Sequence, residues 1–249
     1  EHCGAEVKLN SRICPHCGSE KVLKNISFTI MPGEFYAFVG ATGAGKSTIM
    51  NLITRMYEID EGEILIDDVN IKDMDLQELR RIVATVQQDV FIFTGTIRDN
   101  ITLENKAIND KEVKEVAEYV NASHFIENLS QKYNEPVMER GATLSNGERQ
   151  LLSFARTLAA KPKILILDEA TSSIDTEMEL LIQDALGKLL KGHTSISVAH
   201  RLSTIQHADK IIVMHKGEIA ESGTHDELLK KRGLYYNLYK LQYREENHA

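Results

Sequence analysis

Residues 35–48 read "FYAFVGATGAGKST", and how they are read decides the fold. Phe35 to Val39 is a short apolar run suited to a buried strand. A glycine-rich loop interrupts it, and the pattern predicts a helix from Lys46 to about Arg55. Gly40 to Thr48, "GATGAGKST", fits G-x-x-x-x-G-K-[ST], which between a strand and a helix is a loop for nucleotide phosphates. Gly40, Gly43 and Gly45 let the backbone curl so that its N–H groups face phosphate oxygens. Lys46 supplies a charge within reach of the β- and γ-phosphates, and the Ser47 hydroxyl can ligate Mg²⁺. Thr42, Ala44 and Thr48 complete the candidate cofactor-binding set. The competing reading is a chance glycine-rich turn, which the strand–helix context disfavours.

A second signal follows far along the chain. In "ILILDEATSSID", Ile164 to Asp175, an apolar run suited to a buried strand ends in adjacent carboxylates. Asp168 is expected to hold Mg²⁺ through water, and Glu169 to accept a proton from an attacking water. An acidic helix start would give the same residues, because Asp and Glu are favourable in a first turn. Paired with the phosphate loop, the chemical reading is the stronger.

The remaining pattern is mixed α/β. Ile26, Phe28 and Ile30 alternate in "NISFTI", "MPGE" turns the chain at Met31 to Glu34, and "GEILID" alternates again from Gly62 to Asp67. Val113, Val116, Ala117 and Val120 lie on one helix face, as do Leu151, Leu152, Ala155, Leu158 and Ala159. Strands return at Ser195 to His200 and at Lys210 to Glu221, the latter turning at "HKGE". A helical block of roughly 90–160 is therefore expected inside an α/β core, with a helical tail from His225 to Gln242.

Bulk properties narrow the classes. A net charge of −8 with dispersed cations argues against a nucleic-acid surface, which needs clustered Lys and Arg. No apolar run approaches the ~20 residues of a spanning helix, and the first residues lack the pattern of a secretory signal. Any membrane link is expected to come from elsewhere. All three cysteines lie within the first 17 residues, so disulfides do not hold the large domain, which suits a reducing compartment.

At "GATLSNGERQ", Gly141 to Gln150, the sequence resembles the signature motif of ATP-binding cassette (ABC) proteins. The order persuades: phosphate loop, Gln88 in "VQQDVF", signature, "ILILDE", "SSID", then "VAHRLST" with His200. The resemblance covers about residues 21–243 and implies a P-loop NTPase core sheet, an ABC-type helical subdomain and a small antiparallel β region. It implies that Gln88 contacts Mg²⁺ and reports nucleotide state to a membrane partner. His200 would hold the γ-phosphate and the lytic water, and Ser173 and Asp175 would communicate across a dimer. Ser145 and Gly147 would close over ATP bound to the other subunit, making a head-to-tail homodimer or heterodimer. "FIFTGTIRDNI", "MERGATLS" and "SGTHDELLKKRGLYYNLYKLQ" resemble exporter cassettes, which implies an ATPase at the cytoplasmic face of a membrane, driving a transmembrane domain absent from this chain.

Two departures stand out. Asn146 and Glu148 replace the family's usual Gly and Gln. Asn tolerates left-handed angles, so the loop is expected to survive, whereas Glu148 is expected to weaken closure over phosphate unless it turns away. Upstream, "HCGAE" at His2 to Glu6 nearly repeats as "HCGSE" at His16 to Glu20. Residues 1–20 resemble a zinc ribbon with Cys3, Cys14 and Cys17 as candidate Zn²⁺ ligands. The fourth ligand by symmetry falls one residue before Glu1, which suggests a cut; His2 or His16 could substitute, and a tail of free thiols is the plain alternative. This segment stands where the family's opening strand and adenine-stacking aromatic are expected, so no residue is assigned to adenine. Rivals are a soluble ABC ATPase acting on nucleic acid or ribosomes, and a nucleotide-binding regulatory module that does not turn over. A P-loop GTPase is disfavoured, because "NKAI" at Asn105 to Ile108 lacks the Asp of a base-reading N-K-x-D.

Overall fold

Alternating apolar residues give the first strands, and a computed structural model shows what they pair with. It describes residues 5–9, 22–87, 90–138, 141–168, 176–198 and 202–246. Strand β1 is Ala5–Leu9 and β2 is Ile26–Ile30, with Ile26, Phe28 and Ile30 buried and the residues between them exposed. The turn at Met31 to Glu34 closes on a Glu34 N–H bond to the Met31 carbonyl (3.1 Å) and feeds β3 (Phe35–Val39), buried throughout. Helix α1 (Lys46–Ile53) is followed by β4 (Gly62–Ile66), β5 (Val69–Asn70), α2 (Leu76–Ile82) and β6 (Val83–Val86). The chain continues through β7 (Gly95–Thr96), α3 (Ile97–Thr102), α4 (Asp110–Tyr119), α5 (Ser123–Ile126), β8 (Pro136–Val137) and α6 (Asn146–Ala159). Then come β9 (Ile164–Asp168), α7 (Thr176–Leu190), β10 (Thr194–Val198), α8 (Leu202–Ile205), β11 (Lys210–His215), β12 (Glu218–Gly223), α9 (His225–Lys231) and α10 (Leu234–Glu246).

Contacts group the chain into two compact units. One comprises Glu1–Val83, Lys163–Ala170 and His193–Ala249; the other comprises Ala84–Pro162 and Thr171–Gly192. The first holds two sheets. Its antiparallel sheet has the order β2-β1-β4-β5, and the register sets Val7 opposite Phe28 on one side and Ile64 on the other. This corrects the expectation that the N-terminal stretch stands in place of the family's opening strand. "AEVKL" alternates like a strand and completes a sheet between β2 and β4, a signal the cysteine repeat obscures. Cys3, Cys14 and Cys17 lie outside the described residues.

The larger sheet of this unit runs β12-β11-β3-β10-β9. β11, β3, β10 and β9 are mutually parallel, so their carboxyl ends share one edge, where open α/β sheets bind ligands. Between the two sheets lies a core of Ile26, Phe28 and Ile64 with Phe38, Ile166, Ile196 and Ile212, and the Phe28 and Phe38 rings meet edge-on at 5.2 Å. Helix α1 drives Ile49, Leu52 and Ile53 into that core. At about 1.5–3 kcal/mol per buried aliphatic side chain, this packing anchors the loop that precedes the helix.

In the second unit, α4 buries Val113 and Ala117, and α6 buries Leu151, Leu152, Ala155 and Ala159. α7 buries Ile182, Ala185, Leu186 and Leu189 and packs on α6. The segment before α3 is clamped by Asn100, 1% exposed. Its Nδ2 donates to the Phe93 and Thr96 carbonyls (2.8 and 3.1 Å), and its Oδ1 accepts from the Phe93 N–H (2.9 Å). Arg156 donates to the Asn100 and Phe91 carbonyls (2.8 and 2.9 Å) and to Asn100 Oδ1 (3.1 Å). The helical tail divides in two, breaking after α9 at Arg232, whose φ is 53°.

Candidate nucleotide site

β3 delivers the chain to the carboxyl edge, and Gly40 opens the loop. A Cβ on Gly40 would stand 2.3 Å from the Met214 carbonyl oxygen, so no other residue fits there without moving backbone. Gly45 caps α1 with φ 104°, and its carbonyl accepts the first helical bond, from the Ile49 N–H at 3.2 Å. The amides of Lys46, Ser47 and Thr48, in the first turn, have no acceptor within the helix and carry the positive end of its dipole. A phosphate is the natural partner for such a cradle. Thr42, Gly43 and Ser47 are exposed, while Ala44 and Gly45 are buried.

Lys46 is only 7% exposed. Its Nζ donates to the carbonyls of Gly40 (2.6 Å) and Ala41 (3.1 Å), so the ammonium lies folded against the loop. Burial lowers its pKa below the ordinary lysine range, and the charge of Asp168 opposes that shift. Asp168, half-buried at the end of β9, lies on the same carboxyl edge as the loop that follows β3, with β10 between the two strands. β10 ends at Val198 in register with Asp168. The described residues hold no cluster of three or more His, Cys, Asp or Glu. Nucleotide-bound Mg²⁺ takes one or two carboxylates with phosphates and water, and the exposed Ser47 and half-buried Asp168 are hard oxygen donors of that kind. They fit the ion.

The signature start lies in the second unit. Ser145 is the N-cap of α6, its Oγ accepting the Glu148 N–H at 3.2 Å, while Glu148 Oε2 accepts the Ser145 N–H at 2.7 Å. Glu148 is thus turned back into a capping box. Asn146 is the first helical residue and is absent from the described positive-φ residues, so its tolerance of left-handed angles is not used. Its amide oxygen accepts instead from Arg149, which also donates to the Leu144 carbonyl (2.9 Å). A Cβ on Gly147 would meet Met178 Cγ at 2.1 Å, giving that glycine a packing reason besides access to an anion. Gln88, Glu169, Ser173, Asp175 and His200 lie outside the described residues. The structure therefore sets Gly40 to Thr48 and Asp168 on one edge of the sheet, and places Ser145 at the N-cap and Gly147 in the first turn of α6.

Sequence reasoning missed the support beneath the loop. "HKGE" reads only as a turn, yet its Gly217 N–H donates to the Ala44 carbonyl at 3.1 Å. A glycine between two alternating runs signals the hairpin but not what the hairpin touches.

A family model described as ABC transporter matches residues 23–172. A Bacillus subtilis (strain 168) protein named as a multidrug resistance ABC transporter ATP-binding/permease protein, YheH, is 51% identical over 223 residues, 90% of this chain and 33% of that protein. The ATP-dependent lipid A-core flippase of Syntrophus aciditrophicus (strain SB) is 49% identical over 225 residues, 90% of this chain and 37% of its own length. Among solved structures, a bacterial Atm1-family ABC exporter with ATP bound superposes with a TM-score of 0.88 at 38% identity, over 97% of this chain and 42% of that one. The chain thus spans well under half the length of these relatives. No helix among the described residues is long and apolar enough to cross a membrane. The matched segment carries the phosphate loop, the signature start and Asp168 in one stretch: this chain belongs to the ABC transporter family.

Proposed function

We propose that this domain binds ATP with Mg²⁺ and hydrolyses it, working as the motor of an exporter through a transmembrane domain outside these 249 residues, at the cytoplasmic face of the membrane. The observation that carries the proposal is Lys46 folded onto the Gly40–Thr48 loop at the carboxyl edge of the sheet, where β9 ends in Asp168. The loop amides and Lys46 bind the phosphates. Ser47, Asp168 and Gln88 supply the oxygen ligands for Mg²⁺, which neutralises phosphate charge when bound. Glu169 takes the proton of the attacking water, and His200 holds the γ-phosphate. Ser145 and Gly147 close over the nucleotide of a second, head-to-tail subunit, with Ser173 and Asp175 carrying the signal between subunits. Support for that closure comes from α6: with Ser145 Oγ accepting and the Asn146 and Gly147 amides in the first turn, the hydroxyl proton and two N–H groups are available to an anion.

ATP turnover is the test. Glu169→Gln is expected to cut the hydrolysis rate by about 10²-fold or more while nucleotide still binds. Hydrolysis at the wild-type rate in that variant would contradict the assignment.

The N-terminal cysteines bear a narrower proposal. Cys14 and Cys17, spaced C-x-x-C, are a thiolate pair suited to Zn²⁺. Elemental analysis decides: equimolar zinc supports the site, and a zinc-free protein purified without chelators refutes it.

A further inference from the structure

We infer that the tip of the β11–β12 hairpin, from Met214 to Gly217, is the brace that sets the phosphate loop, which makes Gly217 a positioning residue for nucleotide binding. The inference rests on the nucleotide reading above and deepens it.

Three contacts join hairpin and loop. Gly217 donates its N–H to the Ala44 carbonyl (3.1 Å). Gly40 lies so close to the Met214 carbonyl that an added Cβ would stand 2.3 Å from its oxygen. A Cβ on Gly45 would meet Leu23 Cδ2 at 2.7 Å and Met214 Cε at 3.7 Å, so this side of the loop is filled. Met214 is itself 1% exposed.

The Ala44 contact has a specific consequence. A trans peptide points its carbonyl and the next N–H in opposite directions. Holding the Ala44 oxygen toward Gly217 therefore aims the Gly45 N–H away from the hairpin. Gly45 caps α1 in the left-handed region, so the direction of its amide is part of the cradle's geometry.

The hairpin is built to hold that position. The β11–β12 register shifts between Val213 and Met214, which face Glu221 and Ile219, so the extra residue, Ala220, falls on β12 and leaves β11 regular beside the loop. Gly217 has φ +81°, its carbonyl accepts the Lys24 N–H (2.8 Å), and a Cβ there would stand 2.2 Å from the Val22 carbonyl oxygen. Both of its backbone polar groups are thus committed, the carbonyl to Lys24 and the N–H to Ala44. Any side chain at position 217 must push backbone, and the Ala44 bond moves with it.

A matched control exists in the same unit. Gly33 has φ +83°, yet a Cβ there meets nothing within 4 Å among the described residues. Gly33→Ala and Gly217→Ala carry the same left-handed strain, and only the second disturbs the loop. Titration calorimetry with MgADP is expected to show Gly33→Ala within about twofold of wild type and Gly217→Ala weakened by about tenfold or more. Equal weakening in both variants, or wild-type affinity in a folded Gly217→Ala, would overturn the inference. Hydrogen exchange in the wild-type protein needs no variant: MgADP should slow the Gly217 amide by about tenfold, and an unchanged rate overturns the brace. A wild-type protein that binds no MgADP would instead refute the nucleotide reading itself, and the inference with it.

Discussion

Asn100→Ala should loosen the second unit while leaving the nucleotide loop alone. The side chain is 1% exposed and makes four hydrogen bonds: to the Phe93 and Thr96 carbonyls, from the Phe93 N–H and from Arg156 Nη2. A net bond contributes about 1 kcal/mol, and truncation also leaves buried partners unmet, so the loss is about 3–4 kcal/mol. Arg156→Met removes the guanidinium that burial has already made easier to deprotonate, and it shares with Asn100 one side-chain bond of 3.1 Å. The double variant should therefore show a coupling of about 1–2 kcal/mol. The chain has no tryptophan, so urea unfolding followed by far-UV circular dichroism is the assay. Affinity for MgADP should stay at the wild-type value in each folded variant. A loss below about 1 kcal/mol in Asn100→Ala would refute the reasoning, because the clamp would then not hold the Phe91–Phe93 segment.

Other outcomes follow from the same geometry. Lys46→Met should weaken MgADP binding by about 10- to 100-fold, the worth of a charge-assisted contact, as read by calorimetry. Because burial lowers the Lys46 pKa, its positive charge is present below that lowered value and is lost as pH rises through it. MgADP affinity should fall as pH rises through that lowered value in wild type and not in Lys46→Met. Glu148→Gln keeps an acceptor for the Ser145 N–H, so stability should change by less than about 0.5 kcal/mol while ATP-driven association tightens by up to about tenfold at low salt. No tightening would mean that the carboxylate does not face phosphate. Ser197 Oγ, on β10, is buried with no hydrogen-bond partner among the described residues, so Ser197→Ala should be neutral or stabilising by about 1–2 kcal/mol in the unfolding assay.

How much of this was legible depended on the range of each contact. β2, β3 and the β11–β12 hairpin follow from alternation and turn residues, because period-two burial is a local property. Gly40 to Thr48 and Asp168 were legible as chemistry because each rests on adjacent residues, and parallel strands then bring the two together. β1 was hidden, since five alternating residues between cysteines look like ligand spacing until both neighbouring strands are known. Asn146 was expected to use its tolerance of left-handed angles and does not, because Ser145 takes the cap and leaves Asn146 helical. The Gly217 bond to Ala44 joins residues 173 positions apart, beyond any periodic pattern. Grouping α7 with the earlier helices likewise depends on contacts with α6 rather than on composition.

The central claim is that this domain closes with a second subunit over ATP held on the Gly40–Thr48 loop. Light scattering of Glu169→Gln across protein concentration, with and without MgATP, tests it most directly. The account predicts a mass that doubles only when MgATP is present. A mass that stays at the single-chain value while calorimetry shows bound ATP would contradict it.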